Sequence, residues 1–533
     1  MSDQLIGILS FPFLLTLIFL RVPIGLSMFF TGLVGLIMVT GDTQVPFGRL
    51  KSETFTTFSS YSLTIIPMFL LMGHFATLGG MSQALFKAAE GFLGHRKGGV
   101  AMAAVGACAG FGAICGSSLA TAATMGRVAL PELRRYGYDG GFSTAALAAG
   151  GTLGILIPPS IVLVIYAILT EQNIAKLFLA AFIPGVIAAL GYIIAIRIYV
   201  ALNPESAGTG PRVPWGDRLT DLAKIWPVLL VFGAVVGGIY AGWFTPTEGA
   251  AVGALGTGLI AWVNGGLNRA SLVDSFIVTA RATAMIFFII LGAAFYNGFL
   301  ALTQVPQGIA EWVTTSGFSP YTILILILIF YLILGCFMDS LSMILLTIPI
   351  FWPVMQGLDF NFVTMPELHA ARGLEALLSV PEMTQGKIDA LLDAYREGAQ
   401  LSLVQTVQFD SIQAHFVADI VPLDEALRAL AAGEELTRDQ IRALDLRRVN
   451  EGALNRINSE QVAIWFGILV LIVVEVGLIT PPVGMNLFII NAMEKTTKMT
   501  ATYRAVLYFI ASDLARVALL VAFPFITLMF ITW

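Results

Sequence analysis

Residues 150–161 read GGTLGILIPPSI. Two adjacent prolines interrupt an apolar run otherwise suited to a helix, with glycines just upstream. Proline has no backbone N–H, and its ring clashes with the carbonyl four residues back, so a helix cannot pass through the pair intact. Pro158 leaves the Gly154 carbonyl without its donor, and Pro159 does the same to Ile155. In hydrocarbon such carbonyls cost several kcal/mol each unless something else satisfies them. A desolvated sodium ion is one way to do so.

The surroundings are those of a membrane protein. The chain has 533 residues, of which 57% are hydrophobic and 12% charged, and a mean hydropathy of +0.85. A soluble domain carries about 25% charged residues. Apolar segments fall near 4–20, 23–39, 61–78, 98–110, 141–170, 174–201, 225–241, 246–263, 277–302, 322–337, 462–490 and 505–531. Segments this long predict helices rather than a barrel, so the expected fold is an all-α polytopic membrane protein. The N-terminus, MSDQLIGILSFPFLLTLIFL, lacks a basic leader and a small-residue cleavage site, and reads as a retained first transmembrane segment. Cys108, Cys115 and Cys336 sit in apolar surroundings and read as small core residues. No phosphate loop, H-E-x-x-H or G-x-S-x-G motif occurs, which argues against ATP-binding machinery and an embedded hydrolase. No nucleic-acid partner is expected.

The opening motif has an echo. GILIPPSIVLV (154–164) matches GLITPPVGMNL (477–487), each with Pro-Pro beginning four residues after its leading glycine. Upstream of the first lies CGSSLATAATMGRVALP (115–131), and upstream of the second FMDSLSMILLTIPIFWP (337–353). Both stretches are apolar but interrupted by serines, a carboxylate or prolines, as expected of re-entrant hairpins buried in protein (about 111–131 and 338–355). Aligning Ser117-Ser118-Leu119 with Asp339-Ser340-Leu341 gives both halves one order: polar hairpin, then Pro-Pro helix.

From Ser117 to Pro158 is 41 residues, but from Asp339 to Pro481 is 142, an excess of 101. Residues 361–460 account for it. They hold 9 Lys+Arg and 16 Asp+Glu, net −7, which leaves +2 for the rest of a chain whose total is −5. Stretches such as LDEALRALAAGEELTRDQIRAL place apolar residues at helical spacing opposite charged faces, predicting a small water-soluble helical insert.

Basic residues flank the first hairpin (His95, Arg96, Lys97, Arg127, Arg134, Arg135), whereas 301–321 before the second has no Lys or Arg. By the positive-inside rule the repeats point in opposite directions, and the insert lies outside the cytoplasm. Inverted repeats with broken helices are the signature of a secondary transporter. The expected divisions are scaffold helices at 1–80, a first repeat at 81–201 with its broken helix at 141–170, and a central scaffold at 202–302. The second hairpin region follows at 303–360, then the insert, then 461–533 with a broken helix at 462–490.

Half-helices starting after the prolines aim positive N-termini inward, which suits an anionic substrate. Asp339, an ionisable group in a membrane segment, is a functional candidate or a helix cap. Ser117 and Ser118 either bind an ion or substrate or bond back to the local backbone. Glu475, in LIVVEVGLITPP, either supports an ion site or has a structural partner. Glu248, after Thr-Pro-Thr, reads as a first-turn helix residue, Arg281 as an interface anchor and His74 as a packed histidine.

With CGSSLATAATMG…LPEL…GYD, GGTLGILIPPSI, LFLAAFIPG, FMDSLSMILLTIPIFWPV and GLITPPVGMNLFI in hand, the sequence resembles the large membrane (DctM-like) subunit of tripartite ATP-independent periplasmic (TRAP) transporters. The resemblance covers most of 1–360 and 461–533. It implies a multi-pass protein of the bacterial inner membrane that takes up organic anions, usually carboxylates, driven by sodium through an elevator mechanism. It also implies a small four-helix membrane (Q-type) subunit and a periplasmic substrate-binding protein as partners. One sodium site would fall to Ser117, Ser118, Gly154, Ile157 and Pro159, and the other to Asp339, Ser340, Gly477, Thr480 and Pro482. Substrate, between the hairpin tips, would meet Ser118, Ser160, Asp339 and Asn486. No cofactor beyond sodium and no transition metal is implied. The insert departs from the family pattern. Proton coupling in the same fold is the alternative, with a membrane-embedded enzyme or a channel further off.

Overall fold

Every regular element among the described residues is helical. The computed structural model describes residues 2–531 apart from 398, 417, 418, 447, 495 and 496, with backbone only at 310 and 314. The chain divides into two compact units, 1–358 with 463–532, and 359–462.

Among the described residues six helices are long and apolar enough to cross a bilayer: Tyr61–Leu78, Ile174–Leu202, Trp215–Tyr240, Arg269–Thr303, Glu451–Ile479 and Met499–Ala522. A further pair, Gly140–Leu156 and Ile161–Leu169, is bent by 45° at its break. On Ile174–Leu202 the outward side chains Phe182, Val186, Leu190, Ile194 and Ile198 recur every four residues, a stripe fit for lipid. Helix–helix approach relies on small residues, as expected where lipid is as apolar as leucine. Ile24–Thr40 packs on Arg269–Thr303 so closely that a Cβ on Gly292 would lie 2.3 Å from the Gly25 carbonyl oxygen.

Two helical hairpins carry the sequence motifs. The first joins Gly99–Cys115 to Ser118–Arg135 through residues 116–117, and the second joins Pro320–Gly335 to Ser340–Gln356 through 336–339. Both are wider than the sequence suggested. The segments near 98–110 and 322–337, which hydropathy set apart as separate spans, are the hairpins' first arms. A run of apolar residues marks a buried helix as readily as a lipid-facing one. The two breaks lie at 157–160 and 480–484, and both Pro-Pro bonds are cis.

The second unit has its own core, with Leu377, Ile388, Leu391, Ile412, Leu423 and Leu427 at its centre. Two of its helices start on capping boxes, Thr364 with Glu367 and Thr437 with Gln440. The entering and leaving strands of chain are clasped together. The Asn458 side chain accepts from Val363 N at 2.8 Å and donates to its carbonyl at 2.9 Å.

Candidate functional site

The hairpins and breaks meet through glycines. A Cβ on Gly112 would lie 2.5 Å from Gly154 Cα, and one on Gly154 would lie 2.5 Å from Thr121 Oγ1 and 2.8 Å from the Ser117 carbonyl oxygen. Gly154 is therefore enclosed by both arms of the first hairpin. In the second repeat a Cβ on Gly477 would lie 2.5 Å from Gly335 Cα. The tip follows suit at the first break, where a Cβ on Gly116 would lie 2.9 Å from the Pro159 carbonyl oxygen. Gly116 has a φ of +63°, a conformation glycine takes without strain.

Both hairpin turns end on an N-cap. Ser117 Oγ accepts from Ala120 N at 3.5 Å, and the Asp339 carboxylate accepts from Ser342 N at 3.1 Å and from the Ser342 hydroxyl. Asp339 thus has the capping role that was one of its two readings. Ser160 is buried and caps Ile161–Leu169, accepting from Leu163 N at 3.3 Å. Ile157 closes the helix before the break with extended backbone (φ −92°, ψ 119°). Ser118 and Ser340 open the hairpins' second arms and are buried.

The second break is more self-contained. Thr480 Oγ1 donates to the Val476 carbonyl at 2.6 Å, and the Pro482 carbonyl accepts from Tyr503 OH at 2.7 Å. Asn486 is buried beyond it and reaches across to the first repeat, where its Nδ2 donates to the Ala148 carbonyl at 3.3 Å. The repeats interlock in other ways too. The first hairpin's second arm packs on Met485–Met493, and the second hairpin's second arm packs on Ile161–Leu169. Arg134 pairs with Glu494 at 2.6 Å.

Several buried oxygens here have no hydrogen-bond partner: Ser118 Oγ, Thr121 Oγ1, Asn486 Oδ1 and both carboxylate oxygens of Glu475. Like the Gly154 and Ile155 carbonyls, whose helical donors the prolines remove, these are all oxygen donors. Such a set suits a hard cation and not a thiolate- or imidazole-seeking metal. Among the described residues no group of three or more His, Cys, Asp or Glu could hold a metal ion.

Sequence reasoning missed Thr121 and the partner glycines Gly112 and Gly335. It also passed over a buried pair on Met499–Ala522. Arg516 NH2 donates to Asp513 at 2.7 Å, and Asp513 also accepts from Tyr192 OH at 2.8 Å, which in turn lies 2.9 Å from Thr152 Oγ1. The signal was available, since two charges three residues apart in an apolar segment ask for an explanation. Glu248 is the N3 partner of a capping box on Thr245, as its first-turn reading required.

A cavity of about 1020 Å³ reaches the first hairpin's tip, lined there by Cys115, Ser117, Thr124 and Arg127 and opposite by His74 and Asp274. On its wall, burial and then the neighbouring Glu132 hold the Glu90 carboxyl above its ordinary value of 4.5, with a hydrogen bond from Tyr136 opposing.

A family model described as the tripartite ATP-independent periplasmic transporter, DctM component, matches residues 11–368 and 442–526 and leaves out 369–441, inside the second unit. The C4-dicarboxylate TRAP transporter large permease protein DctM of Pseudomonas aeruginosa is 40% identical over 314 residues, covering 58% of this chain and 73% of that one. Its namesake in Rhodobacter capsulatus is 33% identical over 372 residues, covering 67% and 83%. The sialic acid TRAP transporter large permease protein SiaM of Vibrio cholerae is 30% identical over 350 residues, covering 65% and 80%. These are names of transport permeases, not of enzymes, and the all-helical apolar chain is multi-pass. It belongs to the DctM component family of the tripartite ATP-independent periplasmic transporters, as a large permease.

Proposed function

We propose that the chain carries an organic anion across the bacterial inner membrane, driven by sodium, with the hairpins acting as re-entrant gates of a body that moves in an elevator step. The carrying observation is the repeated pairing of a hairpin glycine with a break glycine, Gly112 with Gly154 and Gly335 with Gly477, beside carbonyls that proline leaves without donors. In this reading the first sodium meets Ser117, Ser118, Gly154, Ile157 and Pro159, and the second meets Asp339, Ser340, Gly477, Thr480 and Pro482. The anion sits between the tips, near Ser118, Ser160, Asp339 and Asn486, where half-helix N-termini favour negative charge. Its partners are a periplasmic substrate-binding protein and a small Q-type membrane subunit. A relative in Oleidesulfovibrio alaskensis bears the joint name isethionate TRAP transporter permease protein DctMQ.

The test is uptake into proteoliposomes holding the chain, its small subunit and its binding protein. Labelled succinate is the first probe, because relatives are named for C4-dicarboxylates, with sialic acid and ectoine next. Uptake should follow an imposed sodium gradient and saturate with substrate. Equal accumulation in potassium overturns the coupling, and uptake driven by a proton gradient alone replaces sodium with protons. The insert, in the same reading, lies outside the cytoplasm and contacts the binding protein or small subunit. Replacing 362–459 by a short linker should weaken uptake and docking, and unchanged values for both would refute that role.

A further inference from the structure

The first broken helix is held on two opposite faces. Along Gly140–Leu156 a Cβ on Gly150 would lie 3.0 Å from Cys108 Sγ, one on Gly151 2.5 Å from Ala122 Cβ, and one on Gly154 2.5 Å from Thr121 Oγ1. All three neighbours belong to the first hairpin. At about 100° per residue, these glycines share one face and Thr152 falls on the other. Thr152 is buried, and its hydroxyl oxygen lies 2.9 Å from that of Tyr192, on Ile174–Leu202.

Behind Tyr192 stands the second repeat. The phenol donates to Asp513 at 2.8 Å, and Asp513 accepts from Arg516 at 2.7 Å, both on Met499–Ala522. Tyr192, Asp513 and Arg516 are all buried. A phenol has one proton, and here the carboxylate takes it, so Thr152 is the donor in the remaining bond. Thr152 also has a single proton, and its other acceptor is the Ala149 carbonyl of its own helix at 2.6 Å.

The two faces fix different things. Glycine contacts set how closely the helix approaches the hairpin, but smooth surfaces resist rotation about the helix axis only weakly. A hydrogen bond is directional, and the one from Thr152 to Tyr192 opposes that rotation. The ion pair behind it is weak evidence for stability in itself, because charges are costly to bury. Its consequence is a phenol whose proton is committed and whose oxygen is aimed at Thr152. Thr152 lies two residues before Gly154, so any turn of the helix there swings the Gly154 carbonyl as well.

We propose that Tyr192 is a positioning residue for the first sodium site. Backed by Asp513 and Arg516, it holds Thr152 and fixes the rotation at which the first broken helix presents the Gly154 carbonyl. The last long helix of the second repeat thereby steadies the ion site of the first. The proposal rests on the sodium-coupled reading above.

The experiment uses the full chain purified in detergent, with its unfolding midpoint measured in NaCl against choline chloride at constant ionic strength. An ion that binds only the folded state raises the midpoint with its concentration. The wild-type chain should respond. T152V keeps the shape and the Tyr192–Asp513 bond but frees the helix to turn, and Y192F frees it from the other side. Each should weaken sodium binding at the first site about fivefold, as expected when one buried hydrogen bond sets the share of the binding-competent state. The rise at a fixed sodium concentration is then smaller than in wild type, while T152S, which restores the hydroxyl, should keep the full rise. A midpoint lowered equally with and without sodium means the network only stabilises the fold and overturns the positioning role, leaving sodium coupling intact. So does a T152S as impaired as T152V. Should Y192F not fold, T152V decides alone, since it leaves the buried ion pair and its phenol in place. A wild-type chain that ignores sodium overturns the sodium-coupled reading and this one with it.

Discussion

At the first break Gly154 faces a threonine side chain and a serine carbonyl, whereas at the second Gly477 lies against the backbone of Gly335. The first turn is two residues long, and its tip glycine rests on the Pro159 carbonyl; the second is four residues long and ends on Asp339. Neutral oxygens dominate the first region. The second holds Asp339 and Glu475, and has already engaged the Pro482 carbonyl through Tyr503. Backbone geometry is thus repeated while charge is not. A repeat constrains where the chain breaks and how closely it packs, because those are set by proline and glycine. It leaves free which oxygens line the break, because several side chains fit the same backbone.

The glycines give the largest expected effects. Gly154→Ala and Gly477→Ala each drive a Cβ to 2.5 Å from a neighbouring atom, so each should cost about 1–3 kcal/mol and abolish most uptake. Their second-site rescues should differ. At Gly154 one of the two closest atoms is Thr121 Oγ1, so Thr121→Ala should return part of the lost stability in the double variant. At Gly477 the three nearest atoms all belong to the Gly335 backbone, and no side-chain change removes them. Thermal midpoints of the single and double variants decide this, and equal rescue at both sites would break the distinction.

The caps come next. Asp339→Ala removes an acceptor at 3.1 Å and its bond from Ser342, for an expected loss of about 1–2 kcal/mol. Ser117→Ala removes a bond of 3.5 Å, so about 0.5 kcal/mol is expected there. Reversal of this order in unfolding experiments would mean that the first tip, not the second, depends on its cap.

What could be read from the sequence follows from the same division. Proline removes a donor whatever surrounds it, so both breaks and their glycines were legible residue by residue. The positions of the caps were legible too, since serine and aspartate before an apolar helix start have a local reason to be there. Gly112, Gly335 and Thr121 were not, because nothing local says which small residue of a helix another helix will approach. Glu475 and the Asp513–Arg516 pair were visible as charges in apolar runs, yet the bond from Tyr192 to Asp513 joins residues 321 apart. Only the packed chain brings them together.

The second repeat alone carries the added unit, and its His369 offers a pH test confined to that unit. Its ring is 2% exposed, and its Nδ1 accepts from Leu436 N at 3.1 Å. Burial holds the imidazole below its ordinary value of 6.5, with Glu435 pulling the other way. The folded state therefore binds fewer protons than the unfolded one as pH falls below 6.5. The contribution is full above 6.5 and is lost as pH falls towards the folded value, at no more than about 1.4 kcal/mol per pH unit. Hydrogen exchange at the Leu436 amide in the full chain should lose protection faster below that pH than amides of the repeats, after correction for intrinsic rates. A pH dependence common to both units would deny the insert a titration of its own.

The smallest effect separates the breaks most finely. The Pro-Pro alignment sets Thr480 opposite Ile157, and Thr480 gives the Val476 carbonyl a side-chain donor at 2.6 Å. Thr480→Val keeps the shape and removes that bond, for about 0.5–1.5 kcal/mol. Ile157→Thr should gain nothing comparable, because Ile157 stands in extended backbone, where a hydroxyl is not aimed at the carbonyl four residues back. If both substitutions were made and stability changed equally in opposite directions, the two breaks would be interchangeable and the local asymmetry between them would be one of residue type alone. A loss at Thr480 without a matching gain at Ile157 places the asymmetry in the backbone itself, where the first helix ends at once and the second finishes its last turn on a threonine.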